Sequence, residues 1–235
     1  MSELERKRGR KRVYDLQRTR EAILDAAEKL FAEQGFAATA TDVIAAQAGY
    51  AKSLLFQYFG DKLGLYTQVL KRADQEIGEL LAQSFASWQT FASADPQPAQ
   101  FHEFFTAMVR TLYDYLFEHP HLMRILTWEM AENWQTFMQI ASQFPPQDTA
   151  LFAPFFQQAH QAGVLRSDFS PLHQYTIIVP ICQVSQAYLP LYQRFLPDGE
   201  FSSAREQARM RDYLVNFVVA GILKDLPEKK VEKGQ

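Results

Sequence analysis

The sequence predicts an all-α protein of about nine helices, with a small N-terminal three-helix helix-turn-helix domain followed by a larger C-terminal helical domain. Three observations carry that expectation. Apolar residues recur at helical spacing through nearly the whole chain. No segment shows the alternating β-branched pattern, bounded by turn residues, that a half-buried strand requires. Charge is divided along the chain: through Arg72 there are 13 Lys and Arg against 9 Asp and Glu, and beyond it 11 against 18. A basic front on an acidic body suits a polyanionic partner for the front alone.

The first helix is expected over 19–34, where Ile23, Ala27, Leu30 and Phe31 share a face and Gly35 closes the helix in the left-handed conformation. Short helices follow at 41–48 and 52–59, with a turn around Gly49 between them. A long fourth helix opens at Lys62 and passes Leu81. Residues 93–98 read as a loop, because prolines and small residues interrupt the pattern. Further helices are expected over 99–118, 121–143, 148–162, 171–195 and 203–226. Ser170 precedes a proline at a first helical position, and Ser203 with Glu206 has capping-box spacing. Pro180 and Pro190 fall inside the eighth helix, which should kink or break, since a helical proline forfeits a hydrogen bond and meets the carbonyl four residues back. The expected organisation is a basic arm at 1–18, the helix-turn-helix domain at 19–66, the body at 67–226 and a frayed tail at 227–235.

Composition narrows the function classes. Aliphatic and aromatic residues make up nearly half of the 235 residues, enough for a sizeable core. The single cysteine, Cys182, offers neither an intramolecular disulfide nor metal-site spacing, which suits a reducing compartment. The start MSELERKRGRKR lacks the apolar stretch of a secretory signal, and no run approaches the roughly 18 apolar residues of a membrane span. A cytoplasmic protein with no membrane partner is expected. No phosphate-binding glycine loop, metal spacing or nucleophile setting occurs, and His102, His119, His121, His160 and His173 form no ligand pattern. Neither enzymatic activity, nor a cofactor, nor a metal is expected.

The informative stretch is TATDVIAAQAGYAKSLLFQYFGDKLGLY, residues 39–66. Two short helices joined by a glycine turn form a helix-turn-helix, which presents its second helix to the major groove of DNA. Ile44, Ala45 and Ala48 pack inward, and Leu55 and Phe59 anchor the second helix to the same core. Lys52, Ser53, Leu54, Phe56, Gln57 and Tyr58 are thereby turned outward. Lys52 and Lys62 suit phosphates, the Gln57 amide suits adenine, and Leu54 suits a thymine methyl. Thr39 and Thr41 stand where threonine caps a helix, touches DNA, or both. In the arm, Arg10 and Arg12 belong to a basic run that adds phosphate or minor-groove contacts.

The run Ile23-Leu24-Asp25-Ala26-Ala27 through Leu30-Phe31 and Gly35-Phe36, followed by Thr39, Ile44-Ala45, Ala48-Gly49, Lys52, Leu55-Phe56, Tyr58-Phe59 and Lys62, resembles the DNA-binding domain of the tetracycline-repressor (TetR) family over 19–66. The resemblance implies that residues 52–58 enter the major groove and that Lys62 holds a phosphate. Ala40 and Ala51 stand where the family often has a capping hydroxyl, and Phe56 where tyrosine is commoner. It further implies a homodimer on an inverted repeat of double-stranded operator DNA. The last two helices of each protomer would make the dimer interface, here carrying Tyr175, Ile178, Cys182, Tyr188, Tyr213, Phe217 and Gly221.

Aromatic and methionine residues are dense in the body. Phe104, Met108, Tyr115, Trp128 and Trp134 are the expected lining of a pocket for a small apolar or aromatic effector, since large flat side chains build an apolar wall and methionine lets it adapt. Glu129 would serve a cationic ligand if it faced inward, but a solvated helix face is the simpler expectation. Together with such a pocket, the resemblance implies a ligand-responsive repressor released from a palindromic operator by that effector. The alternatives are an activator of the same fold, or a helical protein-interaction module whose helix-turn-helix is not used.

Overall fold

A computed structural model describes residues 3–91, 96–144, 148–168, 170–195 and 203–224, without the side chains of 3–15, 89–91, 148–153, 171–176, Cys182 and Gln186. Among these residues are eleven α-helices and one 3₁₀ turn: α1 (Glu3–Ala38), α2 (Thr41–Ala48), α3 (Lys52–Phe59), α4 (Lys62–Phe91), α5 (Pro98–Glu118), α6 (Pro120–Ala131), α7 (Gln135–Ile140), the turn Ala141–Gln143, α8 (Asp148–Gln161), α9 (Pro171–Ala187), α10 (Leu189–Phe195) and α11 (Ala204–Ile222). The described residues include no strand; Leu165 and Leu223 form an isolated antiparallel bridge. The all-α expectation therefore holds.

Four local departures have physical causes. Helix α1 already includes Glu3, so residues 3–18 of the expected arm extend the helix rather than preceding it. Gly35 has φ 75 and ψ 170, which is not the left-handed cap expected there but a region open essentially to glycine alone, and the helix resumes after it. The single helix expected over 121–143 is split by Asn133 and Trp134, both at φ 61. As its prolines predict, the helix expected over 171–195 breaks, at Tyr188 just ahead of Pro190, while Pro180 stays inside α9. At the end of α11, Leu223 turns extended, where Arg166 N–H donates to the Ile222 carbonyl at 3.0 Å and Lys224 N–H to the Val164 carbonyl at 2.9 Å.

Packing divides the chain into two compact units, Met1–Glu76 with His119–Pro145 and Ile77–Glu118 with Pro146–Gln235. The first takes in α6 and α7, which in chain order fall within the body expected at 67–226. Its core joins Ile23, Leu24, Ala27 and Phe31 of α1 to Ile44 of α2, Leu55 of α3, Leu65 and Tyr66 of α4, and Ile125 of α6. Arg72 on α4 adds an ionic tie to α1, donating to Asp25 at 2.7 Å and to Glu28. Burial opposes its charge, but these two carboxylates outweigh that and raise its pKa.

In the second unit, Phe85 and Trp88 of α4, Phe101, Phe104 and Phe105 of α5 and Phe155 of α8 form one ring cluster, with Phe104 and Phe155 centroids 4.6 Å apart. Trp88 Nε1 donates to Gln158 Oε1 at 3.3 Å, so its polar edge is not stranded in that cluster. Val215, Val218, Val219 and Ile222 give α11 a buried stripe. Each large side chain fully buried in such a core contributes roughly 1.5–3 kcal/mol. No described helix is long and apolar enough to cross a membrane.

Candidate nucleic-acid interface

Helices α2 and α3 are joined at Gly49, whose φ 77 and ψ 26 place it in the left-handed region. There Gly49 N–H donates to the Ala46 carbonyl at 3.2 Å and Tyr50 N–H to the Ala45 carbonyl at 3.0 Å, closing α2 as α3 begins. Of the expected anchors, Ile44 and Leu55 are wholly buried, Ala45 and Phe59 nearly so, and Ala48 half-buried. Because Leu55 and Phe59 share one face of α3, the opposite face carries Lys52, Ser53, Phe56 and Gln57 exposed and Leu54 and Tyr58 half-buried. Neither helix start has a side-chain cap: Ala40 precedes α2 and Ala51 precedes α3, each without a capping bond. Unpartnered N–H groups at a helix start suit phosphate oxygens.

Lys52 Nζ is 3.8 Å from Asp42 Oδ1 and 5.9 Å from the Phe56 ring centroid. Both Lys52 and Asp42 are largely exposed, so this pairing contributes about 0–1 kcal/mol and yields readily to a phosphate. Lys62 is more engaged. Its Nζ donates to the Ala37 carbonyl at 3.1 Å and sits 4.5 Å above the Phe36 ring, and burial holds its pKa below the ordinary lysine value. Asp61, which sequence reasoning missed, caps α4 by accepting from Gly64 N–H at 2.7 Å. Its aspartate just ahead of a helical run was the available signal.

Thr39 corrects an expectation. It is buried, and its hydroxyl faces the Gly35 carbonyl at 2.6 Å and the Leu30 carbonyl at 3.2 Å, tying the chain back onto α1. That hydroxyl neither caps α2 nor reaches solvent, whereas Thr41 is half-buried at the first position of α2. Arg10 and Arg12 lie on the helical backbone of α1, and their side chains are outside the described residues.

The five expected pocket residues fall into both units. Phe104, Met108 and Tyr115 lie on α5, with Phe104 inside the ring cluster and Tyr115 buried. Trp128 and Trp134 belong to the first unit, where the Trp128 indole N–H donates to the Ala32 carbonyl at 3.1 Å beside Arg124 Nε at 3.0 Å. Trp134 is exposed. Glu129 overturns the solvated-face expectation: it is buried, accepting from the Tyr66 hydroxyl at 2.5 Å through Oε1 and from Phe137 N–H at 3.1 Å through Oε2. A cavity of about 30 Å³ in the second unit, between Tyr113, Ser185, Tyr192 and Met210, has room only for ordered water. No group of three or more metal-ligating side chains occurs among the described residues.

Of the expected interface residues, Tyr188, Tyr213, Phe217 and Gly221 are exposed and Ile178 is buried. The side chains of Tyr175 and Cys182 are outside the described residues. Ile177, Val184 and Leu191 extend the exposed apolar surface of α9 and α10.

Comparison with known proteins places both ends of the chain. Residues 23–69 match the model described as bacterial regulatory proteins, tetR family, and residues 102–218 match the tetracyclin repressor-like C-terminal domain. The chain is 26% identical over 177 residues to the HTH-type transcriptional repressor NicS of Pseudomonas putida, covering 73% of this chain and 77% of the relative. A TetR family transcription regulator from Marinobacter aquaeolei superposes with a TM-score of 0.62 at 21% identity, covering 91% of this chain and 100% of the other. The transcriptional regulator FadR from Bacillus subtilis, solved in complex with stearoyl-CoA, superposes with a TM-score of 0.57 at 16% identity over 86% of this chain and 98% of its own.

Proposed function

Because the chain belongs to the tetR family of bacterial regulatory proteins, we propose that it is a homodimeric, ligand-responsive repressor that reads an inverted repeat of operator DNA through α3. One observation carries the reading: α3 spends Leu55 and Phe59 on its own core and leaves Lys52, Ser53, Phe56 and Gln57 to solvent. Lys52, Lys62, Arg10 and Arg12 are the phosphate contacts, together with the uncapped start of α2 at Thr41. Gln57 reads an adenine edge, and Leu54, Phe56 and Tyr58 supply apolar contact to thymine methyls.

The exposed apolar side chains of α9, α10 and α11 support dimerisation, since Tyr213 and Phe217 are 66% and 58% exposed one helical turn apart. Apolar surface of this kind is worth covering with a second copy. Repression is supported by the likeness to NicS, and an apolar effector by the aromatic density of α5 and by FadR with stearoyl-CoA. An effector alters operator affinity only as far as it binds one state better than another. Helix α4 is the segment common to both units, passing from one to the other after Glu76.

The test is selection of duplexes from a random pool by purified protein, followed by titration of the winning sequence at several salt concentrations. An inverted repeat bound tightly and with steep salt dependence is expected. No enrichment and no binding at low salt would leave the interaction-module reading standing instead.

A further inference from the structure

Glu129 is a buried carboxylate that reaches both ways along the first unit. Its Oε1 accepts from the hydroxyl of Tyr66 on α4, and its Oε2 accepts from the backbone N–H of Phe137 in the first turn of α7. The Glu129 carbonyl also accepts from Trp134 N–H at 2.7 Å, across the two positive-φ residues that break α6 from α7. Positive φ at a side-chain-bearing residue persists only where the surroundings over-determine it, and Glu129 supplies two of those restraints. Tyr66 is nearly fully buried, with its ring edge-on to Phe31 at 5.0 Å and to Phe36 at 5.1 Å, so its position is that of the α1 end on which α2 and α3 are built. Helix α6 is pinned to the same end, since Arg124 and Trp128 both donate to the Ala32 carbonyl.

We infer that Glu129 is a positioning residue for operator binding: by holding Tyr66 and Phe137 N–H at once, it makes the seating of the recognition module depend on the conformation of the α6–α7 corner. This rests on the reading of α3 as the operator-binding helix. Coupling of this kind is reciprocal, so DNA on α3 must in turn steady the corner.

The experiment measures hydrogen–deuterium exchange at residues 134–138 with and without the duplex selected by the unmodified protein. Operator is expected to slow exchange there. In Tyr66→Phe and Glu129→Ala that slowing disappears and operator affinity falls about tenfold, within the usual range of site-to-site coupling. Glu129→Gln keeps it, because the amide oxygen accepts from Phe137 N–H while the amide nitrogen donates to Tyr66. A merely structural role would raise exchange throughout the unit instead of removing a ligand-dependent difference at one corner. Should Glu129→Ala not fold, Tyr66→Phe, which removes one oxygen, decides alone. Operator-dependent slowing that survives in Tyr66→Phe, or that is missing from an unmodified protein that binds its duplex, overturns the inference. Failure of the unmodified protein to bind any duplex overturns the operator-reading function, and this inference with it.

Discussion

Trp128 lies against Gly35 so closely that a Cβ on the glycine would come within 3.1 Å of the indole Cδ2. The contact joins α6 to the end of α1, and glycine suits it twice: a backbone at φ 75 and ψ 170 strains any other residue, and a Cβ would make the indole give way by a few tenths of an ångström. The indole N–H, donating to Ala32, holds the ring in that position.

Gly35→Ala should therefore destabilise the protein by about 1–3 kcal/mol through backbone strain, with the indole contact adding to it. Urea unfolding followed by circular dichroism measures this. An unchanged midpoint would mean that the backbone at residue 35 leaves φ 75, and that the indole gives way, without cost.

On the face proposed to meet DNA, the expected effects are on binding and not on folding. Lys52→Ala should reduce the salt slope of operator binding by about one and leave stability within about 0.5 kcal/mol, since Lys52 is exposed and only weakly paired. Gln57→Ala should relax the preference at one base position by about 1–3 kcal/mol. Competition between duplexes differing at single positions would reveal no such relaxation if Gln57 faces only phosphate.

The Tyr66 phenol should show itself in alkali. Burial, and then the hydrogen bond to Glu129, raise its pKa above the ordinary tyrosine value. The folded protein therefore keeps a proton that the unfolded chain begins to release near about pH 10. Stability carried by this group is complete below that pH and is lost as pH rises above it. Tyr66→Phe should show a shallower loss of stability than the unmodified protein between about pH 9 and 11; parallel pH profiles for the two would show that the phenol ionises in place.

Phe217 is exposed on α11, so Phe217→Glu should fold normally and yet fail to pair. Light scattering should give half the mass of the unmodified protein, together with weakened operator binding. A variant that stays dimeric would move the interface off α11.

Most of the architecture and the exposed side of α3 were legible because their signals are local. The Leu55–Phe59 spacing predicts which side of α3 is buried, and Gly49 and the Ser203–Glu206 pair mark a turn and a helix start that the structure contains, with Glu206 N–H donating to Ser203 Oγ at 3.2 Å. The break between α6 and α7 was not legible. Residues 132–134 contain neither glycine nor proline, and what stabilises the turn is a carboxylate whose partner hydroxyl stands 63 residues away.

By itself the sequence determined the all-helical class, the position of the helix-turn-helix and the outward side chains of its second helix, since periodicity and turn chemistry act over a few residues. Only the tertiary structure decided that Thr39 is spent inside, that Trp128 packs on Gly35 of α1, and that Glu129 is buried. Each of those outcomes depends on a partner brought close by folding. The free energy of burying a polar or aromatic group is set by that partner and not by the group's own neighbours in the chain.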